Sequence, residues 1–418
     1  STSRRQRQMC IRDRSYMKTI NHHRRGFLGC TFKAEKQNVK VKEVYLNASF
    51  FKQEDTIYSI QNEPIESMYQ LEAIIKKYHA GDSLDITVVR NEKYISHNCI
   101  LYEYPRESSS LFDIEYDSFI YKNLFIELLI TKPNDNDFVL FLLQGIDCST
   151  IDTPLLSKNT YRDLMYSLSN FGIPTVRVEL FGNGDSDGYK CGKYGFNDII
   201  DLYDAAMHHV VASGKKLILF GYSIGALMVP SLVNRNRESV LAAIIFDTMI
   251  FGPKDYFVKN KIRQDILRGI PKDKIMYNAR TFDSFIEIVL DGKHSINDIV
   301  KQNPQYSTYV EHGLFAGHDT NYYHELSEID FLSGCKSISL PLLLLIGSRD
   351  CAIDFKQHLF FFDSISSTES DIIHKEVFSI DHSFRNETGS IDSECIKCIC
   401  DFIFEIVMKH IPFDGGRA

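Results

Sequence analysis

Apolar and polar positions change rhythm twice along the 418-residue chain. Val39 to Leu46 alternates with period two, Thr56 to Ile60 is a short β-type run, and Leu84 to Arg90 alternates again. Between them, Ser67 to Tyr78 places its apolar residues at helical spacing, as a helix with one buried face does. Tyr104 to Ser110, with Pro105 and three serines, breaks both periods and predicts a linker. From Phe112 onward the pattern becomes apolar runs bounded by turn residues: Leu124 to Thr131, Phe138 to Leu143, Thr175 to Leu180, Lys216 to Phe220, Leu241 to Phe246, Pro341 to Ile346 and Ile373 to Ser379. Helical spacing over Asn159 to Asn170 and Asn197 to Ala212 falls between several of them. Parallel strands need such crossovers, so this part predicts an α/β architecture with a mostly parallel sheet covered on both faces. Gly252 to Lys336 interrupts the rhythm with helix-like segments and no buried-strand run, and predicts an insertion between two strands.

Composition narrows the class. The chain is 44% hydrophobic and 24% charged, with a formal net charge of −8, so nothing favours a polyanion and nucleic acid is excluded as a partner. Its length exceeds what one core usually supports, which predicts two unequal domains, over 21–104 and 111–418. No run reaches the ~20 apolar residues of a membrane span, and the start lacks the apolar core of a signal peptide. A cytoplasmic protein is expected. Residues 1–20 are expected to be a disordered or artefactual basic tail, because RRQRQMCIRDR has no hydrophobic period and looks like translated sequencing adapter. The ten cysteines lack the spacing of a secreted disulfide framework and mostly sit in apolar runs, so reduced thiols are expected. Cys395, Cys398 and Cys400 fit helix packing better than a zinc site, which needs four ligands, and His312, His318 and His324 are irregularly spaced. No metal or cofactor is expected.

The strongest chemical signal is the apolar run Leu217 to Phe220 followed by Gly221-Tyr222-Ser223-Ile224-Gly225. Small residues two positions either side of a serine permit a sharp strand-to-helix turn that thrusts the hydroxyl outward, next to a helix N-terminus that favours negative charge. A serine hydroxyl still needs a base to become a nucleophile. Downstream, Leu342 to Ile346 leads into Gly347-Ser348-Arg349-Asp350, and a later strand ends at Asp381-His382. Serine, acid and histidine in that order, each just after a strand, form the order of a hydrolase triad. Asp354 and Asp247 compete with Asp350 for the acid, and His358 and His374 with His382 for the base; only His382 lies in the loop after the last strand. Asp381 reads as a solvated loop residue, and Pro230 as a kink in the following helix.

On these motifs Phe112 to about Ile411 resembles the α/β-hydrolase superfamily, in the group of serine esterases, thioesterases and S33-type peptidases. The resemblance implies Ser223 as nucleophile, His382 as base and then acid, and Asp350 as the orienting carboxylate. It implies an oxyanion hole from the amides of Ile146 and Ile224, in a Gln144-Gly145-Ile146 segment where Gln144 replaces the family's usual histidine. Phe181-Gly-Asn-Gly-Asp-Ser-Asp-Gly188 is similar to the family's loop after the fourth strand, where Asp185 is expected to hold the turn. The insertion over 252–336 matches the cap that many such hydrolases place over the nucleophile.

The first domain resembles a bacterial-type PDZ domain through Arg24-Arg-Gly26-Phe27-Leu28-Gly29, Val41 to Asn47, Glu54 to Ile65 and Gly81 to Arg90. That resemblance implies that the Gly26, Phe27, Leu28, Gly29 loop presents amides to a peptide's C-terminal carboxylate, with Arg24 and Arg25 beside it; a packing module shaping the hydrolase entrance is the alternative. The reading is therefore an α/β-hydrolase fold with a helical cap insertion plus a small N-terminal PDZ-like β-rich domain. Its expected activity is hydrolysis of an ester, thioester or amide through an acyl-serine. Its expected partners are a small-molecule or acyl substrate and a C-terminal peptide or carrier protein. An acyltransferase or carrier-protein thioesterase using the same triad, and a peptide-binding adaptor with a vestigial hydrolase, are the alternatives.

Overall fold

The computed structural model describes residues 24–36, 38–46, 49–133, 136–366 and 373–410. The basic tail over 1–20 lies outside them. The chain divides into two compact units, Ser1–Glu107 and Ser108–Ala418.

In the first unit, antiparallel strands run in the order Cys30–Glu35, Asn38–Val44, Thr56–Ile60, Ser83–Arg90 and Lys93–Ile100, with Glu63–Pro64 paired to Thr56–Ile60. Gly26–Phe27 pairs separately with Tyr102–Glu103. Alternation produces the core: Leu84, Ile86 and Val88 face inward with Val39, Val41, Ile57 and Ile60. The helix Met68–Ile75 closes over them through Leu71 and Ile74, and Ser67 caps it by accepting from the Gln70 amide. Buried Asp55 holds Arg90 through two hydrogen bonds of 2.6 and 2.7 Å. The strand Lys93–Ile100 carries no alternation visible in sequence, because most of its residues are exposed and only Cys99 is buried.

The second unit is built on an eight-stranded sheet. Its order is Ile373–Phe378, Leu342–Gly347, Val240–Phe246, Lys216–Tyr222, Phe138–Leu143, Thr175–Val178, Leu124–Lys132 and Asp113–Tyr121. The first six strands are parallel, and the last two are antiparallel to their neighbours. Asp113–Tyr121 is an edge strand that the hydrophobic pattern does not reveal, since acidic residues alternate along its exposed side. It returns into Leu124–Lys132 through Lys122 and Asn123, both at positive φ, the backbone of a tight hairpin turn.

Period-two alternation in the central strands serves two faces. On one, Leu140, Leu142, Ile218, Phe220, Ala242, Ile244, Leu343 and Leu345 pack against the helices Thr160–Asn170 and Ser393–His410. Cys395 and Cys400 are part of this core and Cys398 packs at its margin. On the other, Phe141 meets Tyr203 of Phe196–Val211 edge to face. The expected mostly parallel, doubly covered sheet is present, and the α/β-hydrolase fold accounts for it. Between Val240–Phe246 and Leu342–Gly347 the chain forms the helices Pro253–Leu267, Lys272–Asp291, Ile296–Gln302, Thr320–Ser327 and Phe331–Lys336. Phe257, Phe282, Phe285, Phe315 and Tyr323 pack against one another there, mostly edge to face, and form the insertion's own core. Among the described residues no helix is long and apolar enough to cross a membrane.

Ile399 is fully buried between its helix and the sheet. Ile399→Ala is expected to lower the free energy of unfolding by about 2–5 kcal/mol, measured by denaturant titration; a loss under ~0.5 kcal/mol would contradict this packing.

Candidate active site

Every parallel strand of the sheet points its C-terminal end to the same edge, and Ser223, Asp350 and His382 lie in the loops leaving that edge. Lys216–Tyr222 ends at Ser223, whose φ of +53° is left-handed, a strained conformation for a residue with a Cβ. The flanking glycines make the turn possible. A Cβ on Gly221 would lie 2.5 Å from Ala226 Cα, and one on Gly225 would lie 2.2 Å from the Leu143 carbonyl oxygen. Ser223–Met228 continues as a tight turn into the helix Val229–Arg235. Pro230 does not kink that helix; it sits in the first turn, where a missing N–H costs no hydrogen bond.

His382 reaches both partners. Its Nε2 is 3.1 Å from Ser223 Oγ and its Nδ1 is 2.5 Å from Asp350 Oδ2. The Asp350 side chain is fully buried and its Oδ1 accepts from the Ala352 amide at 2.7 Å. Tyr222 donates to the His382 carbonyl and packs beside the imidazole, as does Phe246. The rival residues have other partners. Asp354 accepts from the Lys356 and Gln357 amides at the start of a helix. Buried His358 accepts from the Thr248 amide and bonds the Asp354 carbonyl. Asp381 accepts from the amides of Ser383 and Arg385, shaping the loop that carries His382. The His374 side chain lies outside the described residues.

Asp247 is the exception among the rivals. It follows Val240–Phe246, is buried, and accepts from the Gly347 amide at 2.9 Å. Carboxylate oxygens of Asp247 and Asp350 and a His382 nitrogen lie within 4.8 Å of one another. Two full negative charges at that separation repel by roughly 3 kcal/mol or more at an effective dielectric near 20. Burial, and then the charge of Asp350, push the Asp247 carboxyl well above the usual carboxylate range. Burial acts the same way on Asp350, yet the hydrogen bond and charge of His382 outweigh it and hold that carboxyl below its usual range.

The segment from Gln144 to Cys148 lies against the elbow, since a Cβ on Gly145 would be 3.4 Å from Ser223 Cβ. It is fastened at nearly every residue. The Gln144 amide donates to Tyr203 Oη at 3.0 Å, and its side-chain Nε2 to the Val178 carbonyl at 2.7 Å, so this glutamine straps the loop to the sheet. The Gly145 amide donates to Tyr161 Oη at 2.9 Å, which in turn donates to Asp147 at 2.6 Å. His318, from the insertion, donates through Nε2 to the Ile146 carbonyl at 2.6 Å. Asn183 Nδ2 donates to the Cys148 carbonyl at 3.0 Å. In the loop that carries Asn183, Asp187 accepts from the Phe125 amide, and Asp185 is buried.

Cys148 and Cys191 form a disulfide with a Cα–Cα distance of 5.5 Å. This corrects the expectation of reduced thiols throughout; the two residues are 43 apart, and no local pattern announces the pair. His318 lies 3.5 Å from Cys148 Sγ and is driven down to about 4 by burial, so the ring is neutral at neutral pH. With both sulfurs committed to the disulfide, Cys148 and Cys191 have no thiolate to offer a metal beside His318, whereas His312 and His324 belong to other contacts. Tyr161, His318 and the cysteine pair escape sequence reasoning because each acts on the loop from a distant element.

In the first unit, Phe27 and Leu28 turn their side chains inward, Phe27 against Tyr45 and Tyr104. Gly29 takes φ +78° and its carbonyl accepts from the Tyr45 amide. Arg24 donates to the Tyr104 carbonyl at 2.7 Å, and the Arg25 guanidinium lies 3.8 Å above the Tyr104 ring.

A sheet of this topology with a serine elbow and a histidine after the last strand defines the class of α/β-hydrolases. The family model described as Hydrolase_4, serine aminopeptidase S33, matches residues 157–388, and the chain belongs to that family of hydrolases. No curated protein matches it. Among solved structures it is similar to the Pyrococcus furiosus esterase Pf2001, at 15% identity and TM-score 0.47, over 72% of this chain and 96% of that one. It is also similar to Est1E from Butyrivibrio proteoclasticus, solved with ferulic acid, at 12% identity and TM-score 0.46, over 70% and 99%. The thioesterase domain from the curacin biosynthetic pathway matches at 12% identity and TM-score 0.42, also over 70% and 99%. Likeness at this level assigns no substrate.

Two outcomes are expected. Peptide mapping after alkylation without reductant recovers Cys148 cross-linked to Cys191; alkyl groups on both thiols would contradict the pairing. His318, with its folded pKa below the ordinary 6.5, contributes stability that is complete above about pH 6.5 and is lost as pH falls toward about 4. Wild type is expected to lose about 2–3 kcal/mol relative to His318→Gln across that window, read from denaturant midpoints; parallel pH curves would contradict it.

Proposed function

We propose that the chain cleaves an ester, thioester or amide through an acyl-serine on Ser223. The carrying observation is the pair of distances at His382, 3.1 Å to Ser223 Oγ and 2.5 Å to Asp350 Oδ2. His382 Nε2 takes the hydroxyl proton as Oγ attacks the carbonyl carbon, and the new oxyanion is received by the amides of Ile146 and Ile224. The imidazolium then gives its proton to the departing oxygen, sulfur or nitrogen. In the second half the same nitrogen takes a proton from water as the water oxygen attacks the acyl carbon, and it returns that proton to Ser223 Oγ as the C–O bond to serine breaks, releasing the acid and restoring the neutral imidazole. Asp350 keeps the Nδ1–H tautomer aimed and offsets the positive ring. The supports on Gln144, Gly145 and the Ile146 carbonyl favour this reading, because an oxyanion donor works only if it is aimed before the reaction begins.

The insertion over 252–336 acts in this proposal as the cap, with His318 reaching from it to the oxyanion loop. The first unit is a PDZ-like recruiter of a peptide or carrier-protein terminus. Cys30–Glu35 lies at the edge of its sheet, the position that strand addition requires, which supports this role.

A fluorophosphonate probe is expected to label wild type stoichiometrically and Ser223→Ala not at all. His382→Ala is expected to lower kcat on any ester that wild type turns over by about 10⁴-fold or more. Labelling that persists in Ser223→Ala would remove the assignment.

A further inference from the structure

The buried acid beside the relay has a charge problem, and its geometry contains the solution. Asp247 sits at φ +31°, a strained left-handed backbone for aspartate, at the end of a strand parallel and adjacent to the one that leads to Asp350. One of its oxygens accepts from the Gly347 amide; the other is buried and meets no donor among the described residues. Asp350, by contrast, receives the imidazole on one oxygen and the Ala352 amide on the other. The titratable groups facing this pair are Tyr222, Tyr256, His358 and Cys395, together with His382. Of these only His382 becomes a cation during turnover, and it is engaged with Asp350. His358 is held toward its neutral form by burial. Two buried carboxyl groups therefore lie beside one imidazole, which of the two bonds only Asp350, and burial without a cation of its own disfavours the charged form of the other.

We infer that Asp247 is the protonated member and donates a hydrogen bond to the Asp350 carboxylate, serving the triad as a positioning residue. The assignment rests on the hydrolase reading above. A carboxylic acid OH is a donor, which accounts for a buried oxygen that no other group satisfies. The upward push on Asp247 and the downward one on Asp350 have the same sense. With Asp247 neutral, a single negative charge faces Nδ1, and the Asp350 carboxylate is held against rotation by donors on both sides. Asp247 touches no reacting atom; it acts through Asp350.

The test uses the full chain and an ester that wild type hydrolyses. Asp247→Leu keeps the volume but cannot donate, and is expected to lower kcat by about tenfold to a hundredfold with KM unchanged. Asp247→Asn carries an N–H in place of the O–H and is expected to rescue kcat to within about threefold of wild type. Asp350→Asn, which removes the charge itself, is expected to cost about 10⁴-fold. An Asp247→Asn variant as damaged as Asp350→Asn, or an Asp247→Leu variant with wild-type kcat, overturns the inference. Infrared difference spectra of wild type against Asp247→Asn give a second reading that needs no turnover: a protonated-carboxyl C=O stretch is expected in wild type at neutral pH and is lost in the variant, and its absence from wild type overturns the inference too. If wild type neither hydrolyses esters nor reacts with a fluorophosphonate, the hydrolase reading fails, and the infrared band still decides the protonation of Asp247.

Discussion

Parallel strands end together, and that constraint underlies the rest of the second unit. Ser223, Asp350 and His382 are separated by more than a hundred residues and by thirty-two residues in turn, yet each leaves a strand at the same sheet edge. A six-strand parallel core fixes these three exits to a few ångströms before any side chain chooses a rotamer. The strained φ at Ser223 and the near-zero exposure of Asp350 are affordable because Leu140, Phe220, Ile244 and Leu343 lock the strands beneath them.

The same edge concentrates charge. Two strands side by side each deliver a buried aspartate, so the proposed triad is bordered by a second carboxyl that must be accommodated. Opposite it, the loop from Gln144 to Cys148 is held by Tyr161, Tyr203, Asn183, His318 and the disulfide to Cys191. Those fasteners come from five separate elements, including the insertion. The insertion thus contributes, through His318, one of the contacts that hold the proposed oxyanion loop.

How much of this the sequence discloses depends on the range of each interaction. The four central parallel strands are legible because both of their faces are buried, which leaves long apolar runs such as Phe138–Leu143 and Leu342–Gly347. The strands Lys93–Ile100 and Asp113–Tyr121 are not, because an exposed face dilutes the pattern. Their turns use Asn91-Glu92 and Lys122-Asn123 at positive φ, with no glycine as a marker. The elbow is legible because its glycines answer to local crowding. Gln144 reads as a weakened family match, yet its amide turns into the sheet to bond Val178, a contact that only the folded register creates. Pro230 reads as a kink when its position within the helix is unknown, and as an ordinary first-turn residue once it is. Asp247 and Asp350 look like competitors along the chain because nothing in a linear order shows that adjacent strands bring both to one place.

The central claim is that a hydroxyl at this elbow becomes covalently acylated. Rapid quenching of wild type with an activated ester, followed by digestion and mass analysis, tests it most directly. An early burst of leaving group and an acyl mass on the peptide that carries Ser223 are expected. Turnover with no burst and an unmodified Ser223 peptide at every quench time, or an acyl mass on another residue, would contradict it.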